Sequence, residues 1–142
     1  MKRLFASIVL CTAAYGIVVA GDNASQRAQI RANIERIEQN LIMAYESGIP
    51  GLQANAAITM LQVQKEVPDY RWSNSIIPLM RIVNGESNDE KSRIAAALAL
   101  SQIRSDRGDY SIVRNARFTS NSRVKRYCSL LAANRIAEKE AQ

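Results

Sequence analysis

The sequence predicts an all-α domain, and three observations carry that reading. Apolar residues recur three and four apart, and Val and Ile follow this helical spacing instead of alternating. Gly, Pro, Ser, Asn and Asp cut the chain into helix-length pieces. The segment Ser92 to Ile103 is small or aliphatic nearly all the way round. A helix of that kind must be covered on most sides, which makes it central. At 142 residues the chain is long enough for one domain with a substantial core.

Lys2 and Arg3 precede an uncharged apolar run, Leu4 to Ala20, with small Val18 and Ala20 ahead of Gly21-Asp22. This pattern reads as an export signal over 1–20, leaving 21–142 as a periplasmic or secreted domain. The run also approaches the lower length of a membrane span, so tethering by an uncleaved N-terminal anchor is the alternative. Leu10 is too large for the usual position before a lipidated cysteine, which disfavours Cys11 as a lipid site. Loss of Lys2 and Arg3 would lower the net charge of +6 by two.

Asn23 or Ser25 is the expected cap of the first helix of the domain. Its apolar row is Ile30, Ile34, Ile37, Leu41 and Tyr45, and Gly48 and Pro50 end it. A second helix runs from about Gly51 to Glu66, before Val67-Pro68. A third starts at Ser73 to Ser75. With Ser75 as cap, Pro78 falls in the first turn, where its missing N–H costs little. Asn84-Gly85 closes it. Ser87 and Glu90 have capping-box spacing at the start of the fourth helix. Ser105 to Gly108 is the expected turn before a short fifth helix, Asp109 to Arg117. Ser120 to Ser122 opens a sixth, which ends in the polar tail Glu138-Lys139-Glu140.

The second, fourth and sixth helices share a pattern. Leu52 to Met60, Ser92 to Leu100 and Val124 to Ala132 align with small residues at the fifth place, Ala56, Ala96 and Cys128. Polar residues recur at the second place (Gln53, Arg93, Lys125) and aliphatic ones at the seventh (Ile58, Leu98, Leu130). Small residues permit close helix approach, and the larger aliphatics are expected to fill the gap between paired helices. One pair cannot bury its own faces, so pairs must stack. From Ile30 to Ala137 this pattern resembles the HEAT-like helical repeats, with Ile77-Pro78-Leu79-Met80 in the place of a first helix. Ser92 departs from the aliphatic residue usual at its position. The resemblance implies a short α-solenoid of about three helix pairs. The alternative architecture is an irregular six-helix bundle.

HEAT-like arrays typically bind partners on a concave surface lined by the second helices. Carried to this chain, the resemblance implies a protein- or peptide-binding scaffold with an apolar row of Ile58, Leu61, Ile94, Leu98 and Leu130. The competing reading of that row is core, and exposure decides between them. A second candidate is the basic cluster Arg104, Arg107, Arg114, Arg117, Arg123, Lys125 and Arg126, opposed only by Asp106 and Asp109 in that span. Arginine's planar fork pairs two oxygens of a carboxylate, phosphate or sulfate. An anionic polymer or membrane surface is the partner class it would take, against a plain solvated face. Nucleic acid is disfavoured by the export signal and by the lack of aromatics interleaved with the basic residues. The third candidate is the aromatic loop with Tyr70 and Trp72, either an interface anchor or packing under the third helix. Self-association through the apolar first helix is a further reading. Asn23-Ala24-Ser25 is a formal N-glycosylation acceptor.

No catalytic constellation emerges. The chain has no histidine, which removes the commonest general base and metal ligand. Without Cys11, Cys128 stands alone on an apolar face, so neither a disulfide nor a zinc site is expected, and no cofactor is implied. Glu35, Glu38, Asp89, Glu90, Asp106 and Asp109 fall at caps, turns or expected polar faces. Some HEAT-like proteins are enzymes, DNA glycosylases and phycobilin lyases among them, but no residues here carry either chemistry. The expectation is a non-enzyme.

Overall fold

The structure, a computed structural model, describes the backbone of residues 6–141 and the side chains of residues 24–141. It is all-helical: α1 (Ala6–Glu46), α2 (Pro50–Glu66), α3 (Ile76–Asn84), α4 (Glu90–Ile103), α5 (Asp106–Phe118) and α6 (Ser122–Glu140), with no strand among the described residues. The side chains that define the expected leader over 1–20 lie outside the described residues, as does Asn23 of the glycosylation motif. Among the described residues no helix is long and apolar enough to cross a membrane.

The chain divides into two compact units, residues 1–34 and 35–142. The described part of the first is helical throughout. The expected cap at Asn23 or Ser25 does not form, because α1 runs through both positions. Uninterrupted backbone hydrogen bonds through this stretch leave a cap no unpaired N–H to satisfy.

The second unit is built around α4, which touches α2, α3, α5 and α6. Ser92, Arg93, Ala95, Ala96, Ala97, Ala99 and Leu100 are buried, as a helix covered on most sides requires. The small residues aligned by the repeat, Ala56, Ala96 and Cys128, are all buried. Burial pushes the Cys128 thiol up to about 11, so it packs as a small hydrophobe. The seventh-place aliphatics behave differently. Ile58 is 48% exposed and Leu130 54%, and Leu98 is half-buried, so they do not fill the gap between paired helices.

Local chemistry sets the helix ends. Gly48 leaves α1 with a φ of 70°, a left-handed conformation that suits glycine. Pro50 opens α2 at its first turn, where it lacks no needed donor. Asp89, not Ser87, caps α4, its carboxylate accepting from the backbone N–H groups of Lys91 and Ser92. The Ser92 hydroxyl donates to the Pro50 carbonyl at 2.8 Å, which explains a polar residue at this buried position. The turn expected at Ser105 to Gly108 is the first turn of α5, with Ser105 capping Gly108 N–H at 3.1 Å. Gly108 is buried against Leu100, and a β-carbon there would stand 3.4 Å from that side chain. Asn121 caps α6 by accepting from Val124 N–H.

Two charged side chains lie in the core: Glu38, on what the sequence reads as a polar face, and Arg93, on the covered helix α4. Glu38 is 1% exposed. It accepts from Tyr70 Oη at 2.7 Å, Ser75 N at 3.0 Å, Ser75 Oγ at 3.1 Å and Asn74 Nδ2 at 3.4 Å. Ser75 therefore starts α3 without its side chain capping that helix. Arg93 is equally buried. Its Nε donates to the Val83 carbonyl at 3.0 Å, and its Nη2 to Glu86, Asn115 and Thr119 at 2.9, 3.0 and 2.9 Å. These bonds tie α4 to α3, α5 and the connections that follow each. At the equivalent repeat positions Gln53 is buried, donating to the Tyr45 carbonyl at 2.8 Å, while Lys125 is exposed.

Candidate functional site

The expected apolar row does not form one continuous groove. Ile58 and Leu130 are exposed and Leu61, Ile94 and Leu98 half-buried. Of the row, Leu61 and Leu98 line one cleft of about 870 Å³ between the C-terminal halves of α2 and α4. The aromatic loop, read from sequence as a separate candidate, closes the same cleft: Tyr70, Arg71 and Trp72 line it, with Ile76 at the start of α3.

That loop is held from three sides. Gln64 Nε2 donates to the Pro68 carbonyl at 3.1 Å, and Tyr70 N–H to the Val67 carbonyl at 3.2 Å. The Tyr70 and Trp72 rings meet edge to face, centroids 5.0 Å apart at 86°, an arrangement aromatic quadrupoles favour. The Tyr70 hydroxyl reaches Glu38, and burial together with that carboxylate pushes the phenol up to about 12. Trp72 is 1% exposed, so it forms the base of the cleft and not a projecting anchor. Its indole N–H and the Gln64 Oε1 are buried with no hydrogen-bond partner among the described residues. Both residues line the cleft.

The cleft has a charge bias. Lys65, Arg71 and Arg104 line it against one carboxylate, Asp69, and all four are exposed. Arg104 leaves the basic cluster read from sequence to join this wall. Its bond to Glu138 is long, 3.4 Å, and both side chains are about half exposed. An ion pair of that kind holds a side chain weakly.

The remaining basic residues are all on the surface: Arg107, Arg114 and Arg117 on α5, and Arg123, Lys125 and Arg126 at the start of α6. Arg123 pairs with Glu90 at 2.8 Å. Asp109 pairs with Arg135 at 3.0 Å and Lys139 at 3.6 Å, so it does not neutralise the cluster. The expected lack of interleaved aromatics is corrected here. Tyr110 is 68% exposed between Arg107 and Arg114, and Phe118 is 78% exposed beside Arg117. Helical spacing within residues 107–118 carries that signal, although aromatic residues by type belong to the core.

Glu86 closes the polar network below these residues. It accepts from Ser120 Oγ at 2.7 Å and Thr119 Oγ1 at 2.8 Å as well as from Arg93. Hydrogen bonds from Ser120, then Arg93 and Thr119, lower its carboxyl to about 2. Every group in this network has a structural partner, and it stands apart from the cleft.

No family model, curated protein or solved structure matches this chain.

Proposed function

We propose that the domain is a non-catalytic binding module, a short HEAT-like array that receives an apolar segment of another protein bearing acidic residues. The observation that carries this reading is the cleft between α2 and α4. Leu61 and Leu98 give it apolar walls, and Lys65, Arg71 and Arg104 face one opposing carboxylate. Apolar contact supplies affinity for such a segment, while the cationic rim sets its charge and raises its encounter rate. The stacked architecture draws support from α4 lying against both α2 and α6, with Ala56, Ala96 and Cys128 buried at matching positions. An extracytoplasmic setting belongs to the same proposal and rests on the leader-like residues 2–20.

Selection of a displayed peptide library on the whole protein tests this reading. Enriched peptides are expected to combine aliphatic or aromatic residues with Asp or Glu. Binding should fall at least tenfold in Lys65→Glu, whose exposed side chain leaves the fold intact, and in Leu98→Glu once circular dichroism shows it folded. Enrichment of basic peptides, or binding indifferent to both substitutions, would overturn the proposal.

A further inference from the structure

α5 turns its arginines outward, as an amphipathic helix should, but leaves two aromatic rings among them. Its buried positions are Gly108, Ser111, Ile112 and Asn115. Its outward positions are Arg107, Tyr110, Arg114, Arg117 and Phe118, all exposed. At 3.6 residues per turn these five fall within about 100° of arc and about 16 Å of helix. Ser111 and Asn115 are paired inside with Asn84 at 2.9 and 2.7 Å, whereas the rings of Tyr110 and Phe118 stand exposed among the arginines, an apolar area that a covering surface would bury.

The charge around the rings indicates the covering. Three arginines frame them, with Asp106 the carboxylate at the N-terminal edge. Asp109 is turned away and engaged by Arg135 and Lys139. Glu86, near Phe118 and Arg114 at the other end, is engaged by Arg93, Thr119 and Ser120. The face is therefore positive, with aromatic rings among its cations.

We propose that this face of α5 docks on an anionic lipid bilayer, with Phe118 and Tyr110 entering the headgroup region and Arg107, Arg114 and Arg117 bonding lipid phosphates. Interfacial helices use this combination: rings settle at the water–acyl boundary while long basic side chains stay with the phosphates. A single strand of nucleic acid is the competing polyanion, but proteins hold one in a groove that tracks its backbone. The five residues here stand on the outward side of one helix. This site is separate from the α2–α4 cleft, and neither proposal depends on the other.

The test uses the full chain with vesicles rich in phosphatidylglycerol, compared with pure phosphatidylcholine vesicles and a single-stranded oligonucleotide. Phe118→Trp serves as a reporter: taken as the difference from the parent, which carries Trp72 alone, its emission reads the position of this side chain. The expected result is a blue shift with phosphatidylglycerol vesicles, absent with phosphatidylcholine and reversed by high salt. Arg107→Gln, Arg114→Gln and Arg117→Gln should each weaken the vesicle affinity read by the blue shift about fivefold at low salt. Phe118→Ser should also weaken cosedimentation with the anionic vesicles. Unmoved Phe118→Trp emission, equal shifts with both lipids, indifference to the arginine substitutions or to Phe118→Ser, or binding to the oligonucleotide without binding to vesicles would each overturn the proposal.

Discussion

The Tyr70 hydroxyl donates a 2.7 Å hydrogen bond to the buried carboxylate of Glu38 and so fastens the aromatic loop that closes the cleft to α1. The same carboxylate accepts from the N–H and the hydroxyl of Ser75, so one side chain positions the loop and starts α3. Glu38→Ala strands these donors without a partner. Removal of a buried, hydrogen-bonded charge is expected to cost about 3 kcal/mol, measured by denaturant unfolding. Tyr70→Phe should cost about 1 kcal/mol. In the Glu38→Ala background Tyr70→Phe should cost almost nothing more, since its partner is already gone. Full additivity of the two would show that they do not act through this bond.

Arg93 is the other buried charge, and its shape is the reason it is tolerated. One planar guanidinium satisfies the Val83 carbonyl, Glu86, Asn115 and Thr119 at once. Arg93→Met removes the donors and is expected to destabilise by about 3 kcal/mol, because buried acceptors are left unpaired. Arg93→Lys should recover little of that loss, since an ammonium cannot reproduce the fork. Thermal unfolding of the two variants checks this, and near-complete rescue by lysine would contradict it.

These two residues also mark where the sequence stops being legible. The six helices follow from apolar spacing and from Gly, Pro and Ser punctuation, and the small residues Ala56, Ala96 and Cys128 are buried as their alignment implies. Glu38 reads as a surface residue because polarity is the only signal a single position carries, and the sequence does not say what Arg93 meets inside the covered helix α4. Their partners Ser75 and Thr119 lie 37 and 26 residues away, and only the packed fold brings them together. The helix starts show the same limit. Ser87 and Asp89 can both cap α4 by residue type, and tertiary bonds accompany the choice: Asn88 donates to the Ile82 carbonyl and Ser92 to Pro50. The cleft was half legible. Leu61, Leu98, Tyr70 and Trp72 stood out in the sequence, but the loop's fold back onto α2 and α4, which joins them, did not.

Acid should loosen the network around Glu86 in a defined window. Its folded carboxyl is lowered from 4.5 to about 2 by Ser120, Arg93 and Thr119. The folded state thus binds fewer protons than the unfolded state between those values, and stability must decline as pH falls. The contribution is complete above the unfolded value and is lost as pH drops toward about 2. Glu86→Gln should therefore be less stable than the parent at neutral pH, with the gap closing in acid. Urea unfolding across this range measures the convergence. A constant gap would mean that Glu86 is not the titrating group.

Arg104 separates stability from binding at a single position. It ends α4 in the left-handed region, with φ 57° and ψ 43°, the one non-glycine residue with positive φ among those described. A side chain there crowds the following carbonyl, a cost of roughly 1–2 kcal/mol that glycine avoids. Glycine gives part of this back through the greater freedom of its unfolded chain. The lost pair with Glu138 matters little, since both side chains are about half exposed. Arg104→Gly is thus expected to raise stability by about 0.5–1 kcal/mol. The same substitution removes one of three cations from the cleft between α2 and α4. If that cleft receives an acidic segment, the stabilised variant should bind selected acidic peptides several-fold more weakly, with the difference shrinking as salt is raised. Unfolding and peptide titration on the same preparation read both effects. A variant that is more stable and binds equally well would place the acid-recognising charge elsewhere.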